Sequence, residues 1–239
     1  MAHQQLSHPF NDVSKVRILV VGDSGVGKTS LVHQLCYGSV LKDPRWTVGC
    51  QTEVKLQKHR ASSKKFFLEF WDVGGSRKYE LTRTIFYSQI NGIMLVFDLN
   101  NRKSYLNLRK WIKEIVHEAR TKGIEEKYVY HTDNYGSSVR ARGEEVSSLG
   151  SLPVIIVGNK KDLQDKKEPR TYNTIKDLGF ALVTVSALRK FSKEESSDLN
   201  SFFRTVIDRR FYRAHTDKHS SKVLRRAGTQ YSTEDHHYL

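Results

Sequence analysis

Between Gly22 and Thr29 the chain reads GDSGVGKT, an instance of G-x-x-x-x-G-K-[ST]. Glycines let successive backbone N–H groups turn inward around an anion, and a lysine placed directly after the last glycine brings a positive charge to it. The chemistry is phosphate binding. Lys28 would reach the β- and γ-phosphates of a nucleotide, and Thr29 offers a hydroxyl to Mg²⁺, a hard cation that prefers oxygen ligands and substrate phosphates.

Three further groups of residues could act with that loop. Asp72 ends an apolar run and is followed by Gly74, Gly75 and Ser76 in FWDVGGSRKYE; an acid there suits Mg²⁺ held at one remove, through water. Gly158-Asn159-Lys160-Lys161-Asp162 follows a second apolar run, and Ser186-Ala187 follows a third. A carboxylate such as Asp162 accepts two parallel hydrogen bonds from guanine N1–H and its 2-amino group, a donor pair adenine lacks.

The elements that must position these groups are legible in the apolar pattern. Lys15 to Val21 reads as a buried strand, and Lys28 to Tyr37 as a helix with Leu31, Val32, Leu35 and Cys36 at helical spacing and Gly38 as its stop. Val48 to Gln57 and Lys65 to Trp71 read as a hairpin about the polar HRASSK. Ile90 to Asp98, Leu152 to Val157 and Phe180 to Val185 read as buried strands, with helices predicted over Tyr105 to Ala119 and Leu199 to Arg210. Strands alternating with helices predict an α/β fold: a six-stranded, mostly parallel sheet with helices on both faces. Each candidate group then falls at a strand's carboxyl end, the edge where open α/β sheets bind ligands.

The 239 residues suit one well-cored domain over 15–212 with appendages. Residues 1–14 read as a polar leader. About 120–150 is a polar insertion too long for an ordinary connection, and 213–239, almost without large aliphatics, reads as a disordered tail. No apolar run is long enough to span a bilayer, and the first residues lack the core of a secretory signal. With only Cys36 and Cys50 there is no disulfide framework, so a cytoplasmic location is expected. The net charge of +14 is scattered among 26 acidic residues without an aromatic-interleaved stripe, so no specific nucleic acid is expected.

The loop GDSGVGKT, the WDVGG segment and NKKD ahead of Ser-Ala together resemble the Ras-like small GTPases over roughly 15–212. GDSGVGKTSLV, WTVGC, WDVGGS, FYSQINGIMLVFDL and LNSFFRTVIDRRFY resemble its Rab-like branch, which includes the plant light-insensitive-period GTPases. The resemblance implies a P-loop G domain that binds GTP or GDP with Mg²⁺ and engages effector and regulator proteins through two switch loops. It implies nucleotide contacts from Asp23, Ser24, Gly25, Val26, Gly27, Lys28, Thr29 and Ser30. Further contacts fall to Thr47, Gly75, Asn159, Lys160, Asp162, Ser186, Ala187 and Leu188. Thr29, Thr47 and Asp72 would serve Mg²⁺; Thr47 and Gly75 would sense the γ-phosphate. The stem of Lys160 would pack on the base, and the Ala187 N–H would meet the guanine oxygen.

Departures from the family pattern refine this. Ser76 stands where a glutamine usually aims water at phosphorus, and serine is too short to bridge water and γ-phosphate. Hydrolysis would then draw on Lys28, Thr47 and Gly75 and be weak without a partner; the alternative is a GTP-binding module that scarcely hydrolyses and pairs with a second copy. Val40 stands where an aromatic usually covers the guanine edge, and Leu188 replaces a lysine, so nucleotide exchange is expected to be fast. No cysteine follows Cys50, so no lipid anchor is expected, and partners would recruit the protein to membranes or cytoskeletal structures.

Overall fold

The computed structural model describes residues 14–60, 64–121, 152–164 and 179–212. The leader up to residue 13, most of the 120–150 insertion and the 213–239 tail lie outside the described residues. So do residues 61–63 of the expected hairpin turn.

The chain order is β1 (Ser14–Val21), α1 (Lys28–Tyr37), β2 (Cys50–Lys58), β3 (Lys65–Val73), β4 (Gly92–Asp98), α2 (Arg102–Leu106), α3 (Leu108–Thr121), β5 (Val154–Asn159), β6 (Ala181–Thr184) and α4 (Lys193–Phe211). Short 3-10 turns span Arg77–Tyr79, Arg83–Tyr87 and Lys161–Leu163. The six strands form one sheet in the order β2-β3-β1-β4-β5-β6. Every pairing is parallel except β2 with β3.

Period-two alternation sorts the side chains of β1 between two cores. Val16, Ile18 and Val20 face one side, with Leu31, Val32 and Leu35 of α1 and Phe202, Phe203, Val206 and Ile207 of α4. Leu19 and Val21 face the other, with Leu108, Trp111, Ile112 and Ile115 of α3. Helices therefore cover both faces, as the alternation of elements predicts. Because β3, β1, β4, β5 and β6 run parallel, the turns after β1, β3 and β5 lie along one edge of the sheet, with the Ser186-Ala187 turn after β6 on the same edge.

Several boundaries differ from expectation for identifiable reasons. β3 continues to Val73, so Asp72 is a strand residue paired with Val20 and Gln51 and not a strand-end residue. β5 runs two residues past Val157, because Gly158 and Asn159 pair with Phe97 and Asp98. β2 begins at Cys50, after Gly49 at φ 70° has broken the extended path. α3 starts at Leu108, not Tyr105: Asn101 caps the separate helix α2, accepting from the N–H groups of Lys103 (3.0 Å) and Ser104 (3.3 Å). α4 starts six residues earlier than the apolar pattern suggests, where Ser192 and Glu195 form a capping box.

Candidate functional site

The loop between β1 and α1 closes around its own lysine. Lys28 is buried, and its Nζ donates to the carbonyl oxygens of Gly22 (2.9 Å) and Asp23 (3.1 Å). Burial lowers the pKa of its ammonium, against the opposing pull of the nearby carboxylates of Asp72 and Asp23. α1 starts from Gly27 at φ 89°, with no side-chain cap and no acidic residue in its first turn. Its leading N–H groups and positive dipole end are thus left to an anion.

Three oxygens meet beside the first residues of α1. Thr29 Oγ1 donates to Asp72 Oδ2, Thr47 Oγ1 donates to the same oxygen at 3.2 Å, and the two hydroxyl oxygens lie 2.9 Å apart. Asp72 is buried, and its Oδ1 has no hydrogen-bond partner among the described residues. Burial pushes its carboxyl above the ordinary value, opposed by Lys28 and by the two threonines. A hard, all-oxygen donor set with one buried carboxylate oxygen still unbonded fits Mg²⁺.

The segment after β3 lies directly on the phosphate loop. A Cβ on Gly75 would stand 2.4 Å from the Gly22 carbonyl oxygen and 2.6 Å from the Ser24 nitrogen, so only glycine permits this approach. The Gly74 N–H donates to the Gly49 carbonyl (2.8 Å), joining this segment to the loop that carries Thr47.

Across the loop, Asn159 at the end of β5 connects the phosphate side to the base side. Its Nδ2 donates to the carbonyls of Val26 (3.0 Å) and Gly27 (3.3 Å), and its Oδ1 accepts from the Ala187 N–H (3.0 Å). The amide that the resemblance assigns to a guanine oxygen is therefore bonded to Asn159 here. Asp162 is exposed and accepts a hydrogen bond from the Ser186 hydroxyl, while the Leu188 N–H donates to Ser186 Oγ (3.2 Å). Lys160 adopts φ 64°, with its Nζ held by Asp98 (2.9 Å) and its carbonyl by Asn100 Nδ2 (3.0 Å).

Residues 17–130 match the sequence profile of the Ras family. Over 217 residues the chain is 32% identical to Rab-like protein 3 of Mus musculus, an alignment covering 84% of this chain and 87% of that protein. The chain belongs to the Ras family of small GTPases. It is also 33% identical to Rab-like protein 3 of Danio rerio over 217 residues, covering 84% of this chain and 88% of that protein. With Small GTPase LIP1 of Arabidopsis thaliana the identity is 32% over 238 residues, covering 83% of this chain and 63% of that protein.

For a member of the Ras family, the site departs at the three positions noted in the sequence. Ser76 uses its side chain as a local cap, accepting from the Lys78 N–H at 3.4 Å at the head of the Arg77–Tyr79 turn. Val40 is 40% exposed and Leu188 is 59% exposed. The structure adds residues that phosphate and base motifs do not reveal. Asp98 and Asn100 hold Lys160. Glu195, from the start of α4, accepts from Arg189 Nη2 (2.6 Å) and Nη1 (3.1 Å), from Lys161 Nζ (3.3 Å) and from the Ser192 N–H (2.8 Å). Glu195 thereby ties the loop after β5 to the loop after β6. The capping pattern Ser192-x-x-Glu195 was the available signal for it.

Proposed function

We propose that this GTP-binding switch of the Rab-like type holds both GDP and GTP with Mg²⁺, reports the γ-phosphate to protein partners, and hydrolyses GTP only feebly unaided. The observation that carries the proposal is the meeting of Thr29, Thr47 and Asp72 beside a loop on which Gly75 lies directly. Lys28 and the leading N–H groups of α1 bind the phosphates. Mg²⁺, when bound, neutralises charge on the phosphate oxygens; Thr29, Thr47 and Asp72 would hold it, Asp72 through water.

Thr47 and Gly75 sit on separate loops, so a γ-phosphate that both can contact biases both loops toward one arrangement. Loss of that phosphate removes a contact from each. Asp162 selects guanine through its acceptor pair, and the stem of Lys160 packs on the base. Hydrolysis by this fold is positioning plus charge stabilisation, and with its glutamine Ras turns over unaided on the order of 10⁻⁴ s⁻¹. Ser76 lacks the reach to aim water, so a partner would have to supply that group. In this proposal the protein works in the cytoplasm and is recruited by its partners to membranes or cytoskeletal structures.

A second function is favoured by the apolar surface of the switch loops. Trp46 is 83% exposed, Val48 73%, Leu81 92% and Ile85 63%. Exposed apolar side chains on both loops suit protein contact, including a GTP-dependent pair of two copies.

Competition against a fluorescent GDP in the presence of Mg²⁺ tests the proposal. GTP and GDP should displace the probe at similar concentrations, while ATP at about 100-fold higher concentration should not, and EDTA should speed release. Displacement by ATP as effective as by GTP would overturn it.

A further inference from the structure

Arg83 opens the 3-10 turn Arg83–Tyr87 in the segment that follows Gly75, yet it is only 5% exposed. A guanidinium taken out of water needs a full set of partners. Glu114 of α3 accepts from its Nε (2.6 Å) and its Nη2 in a two-pronged pair, and the Tyr87 hydroxyl donates to the same carboxylate (2.7 Å). Its Nη1 donates to the main-chain carbonyl of Ser76 (3.4 Å). The guanidinium also lies on the face of Trp111, 3.9 Å from the ring centroid, a favourable cation–π placement.

Trp111 has a second contact on the phosphate side. Its Nε1 donates to Asp23 Oδ1 (3.0 Å), and Asn107 Nδ2 donates to Asp23 Oδ2 (2.6 Å). Asp23 is the second residue of the phosphate loop, so Trp111 of α3 and Asn107, the residue just before that helix, grip the loop by both oxygens of one carboxylate. A continuous path of contacts thus runs from the Ser76 carbonyl through Arg83 and Trp111 to Asp23. Phosphate chemistry does not require a carboxylate at position 23; tethering the loop to α3 does give it a use.

We infer that Arg83 is a positioning residue for the phosphate loop, coupling the turn after Gly75 to nucleotide retention through Trp111 and Asp23. Coupling is reciprocal: a partner that moves the turn loosens the loop, and a nucleotide that fixes the loop steadies the turn. The inference rests on the proposal that Gly22 to Thr29 hold a nucleotide.

GDP release from the full chain, measured for Arg83→Gln, Asp23→Ala and the double variant, tests the coupling. Each single variant should release GDP faster by about 5-fold or more, with the double variant no faster than the faster single one. Trp111→Phe keeps an aromatic face beneath Arg83 but removes the N–H, leaving Asp23 only its bond from Asn107, and should release GDP faster than the unmodified chain but no faster than Asp23→Ala. If Arg83→Gln does not fold, Glu114→Gln takes its place in the same cycle. Single effects that multiply in the double variant would overturn the inference, because a merely structural Arg83 would act independently of Asp23. Unmodified protein that fails to bind GDP would instead sink the nucleotide-site proposal.

Discussion

Gly75 lies against Gly22 so closely that a single methyl group on it would stand 2.4 Å from the Gly22 carbonyl oxygen. In the proposed reading, sensing of the γ-phosphate depends on that approach, and the other atoms a methyl would meet are also phosphate-loop backbone. Gly75→Ala should therefore leave GDP affinity within a few-fold while weakening GTP by roughly tenfold, an effect of about 1.4 kcal/mol. Paired titrations with GDP and a non-hydrolysable GTP analogue check this; equal losses for both nucleotides would show that Gly75 serves the fold and not sensing.

Glu195 gives a prediction with a definite pH sign. Burial would raise its carboxyl, but the bonds from Arg189, the Ser192 N–H and Lys161 more than offset this and hold it below its ordinary value of 4.5. A carboxylate depressed in the folded state contributes stability that is fully present above its unfolded value and is lost as pH falls through the folded one. Glu195→Gln should lower the unfolding temperature at pH 7 by ~3–6 °C, with the gap to the unmodified protein closing on acidification below 4.5. Calorimetry at several pH values tests it, and a gap that stays constant into acid would contradict it.

Much of this was legible because it depends on local chemistry. Gly22 to Thr29 carries its own backbone geometry, and the apolar runs of β1, β4 and β5 announce buried strands without tertiary information. The tethers were not legible. Nothing in the spacing of Asp23, Arg83, Trp111 and Glu114 says that they meet, since 88 residues of sequence separate Asp23 from Trp111, and it is the pairing of β4 beside β1 in the sheet that places the helix after β4 near the loop after β1. Asp72 reads as the residue that ends the strand because the apolar run stops before it, whereas the backbone of β3 continues one residue beyond. Glu195 lies before the apolar stripe of Leu199 to Arg210, and its bonds to Arg189 and Lys161 join loops that the sequence does not show to be adjacent.

The resemblance places Val40 where an aromatic covers the base in related proteins. It is half-exposed, and its neighbours Lys42, Asp43, Pro44 and Arg45 are polar or small and exposed. An aromatic side chain stacked on a base contributes about 1–3 kcal/mol. Val40→Phe should accordingly slow GDP release by roughly 5- to 100-fold at fixed Mg²⁺. Stopped-flow release of a fluorescent GDP measures it, and an unchanged rate would mean that residue 40 does not reach the base.

Under the proposed function, sensing and hydrolysis have come apart in this chain: Asp72 and Gly75 keep the first, and Ser76 lacks what the second needs. Single-turnover hydrolysis of bound GTP by the unmodified protein and by Ser76→Gln tests it most directly. The expected result is that both bind GTP, that the unmodified chain turns over no faster than about 10⁻⁴ s⁻¹, and that Ser76→Gln is several-fold faster. A Ser76→Gln variant no faster than the unmodified chain, or an unmodified chain already well above that rate, would contradict it.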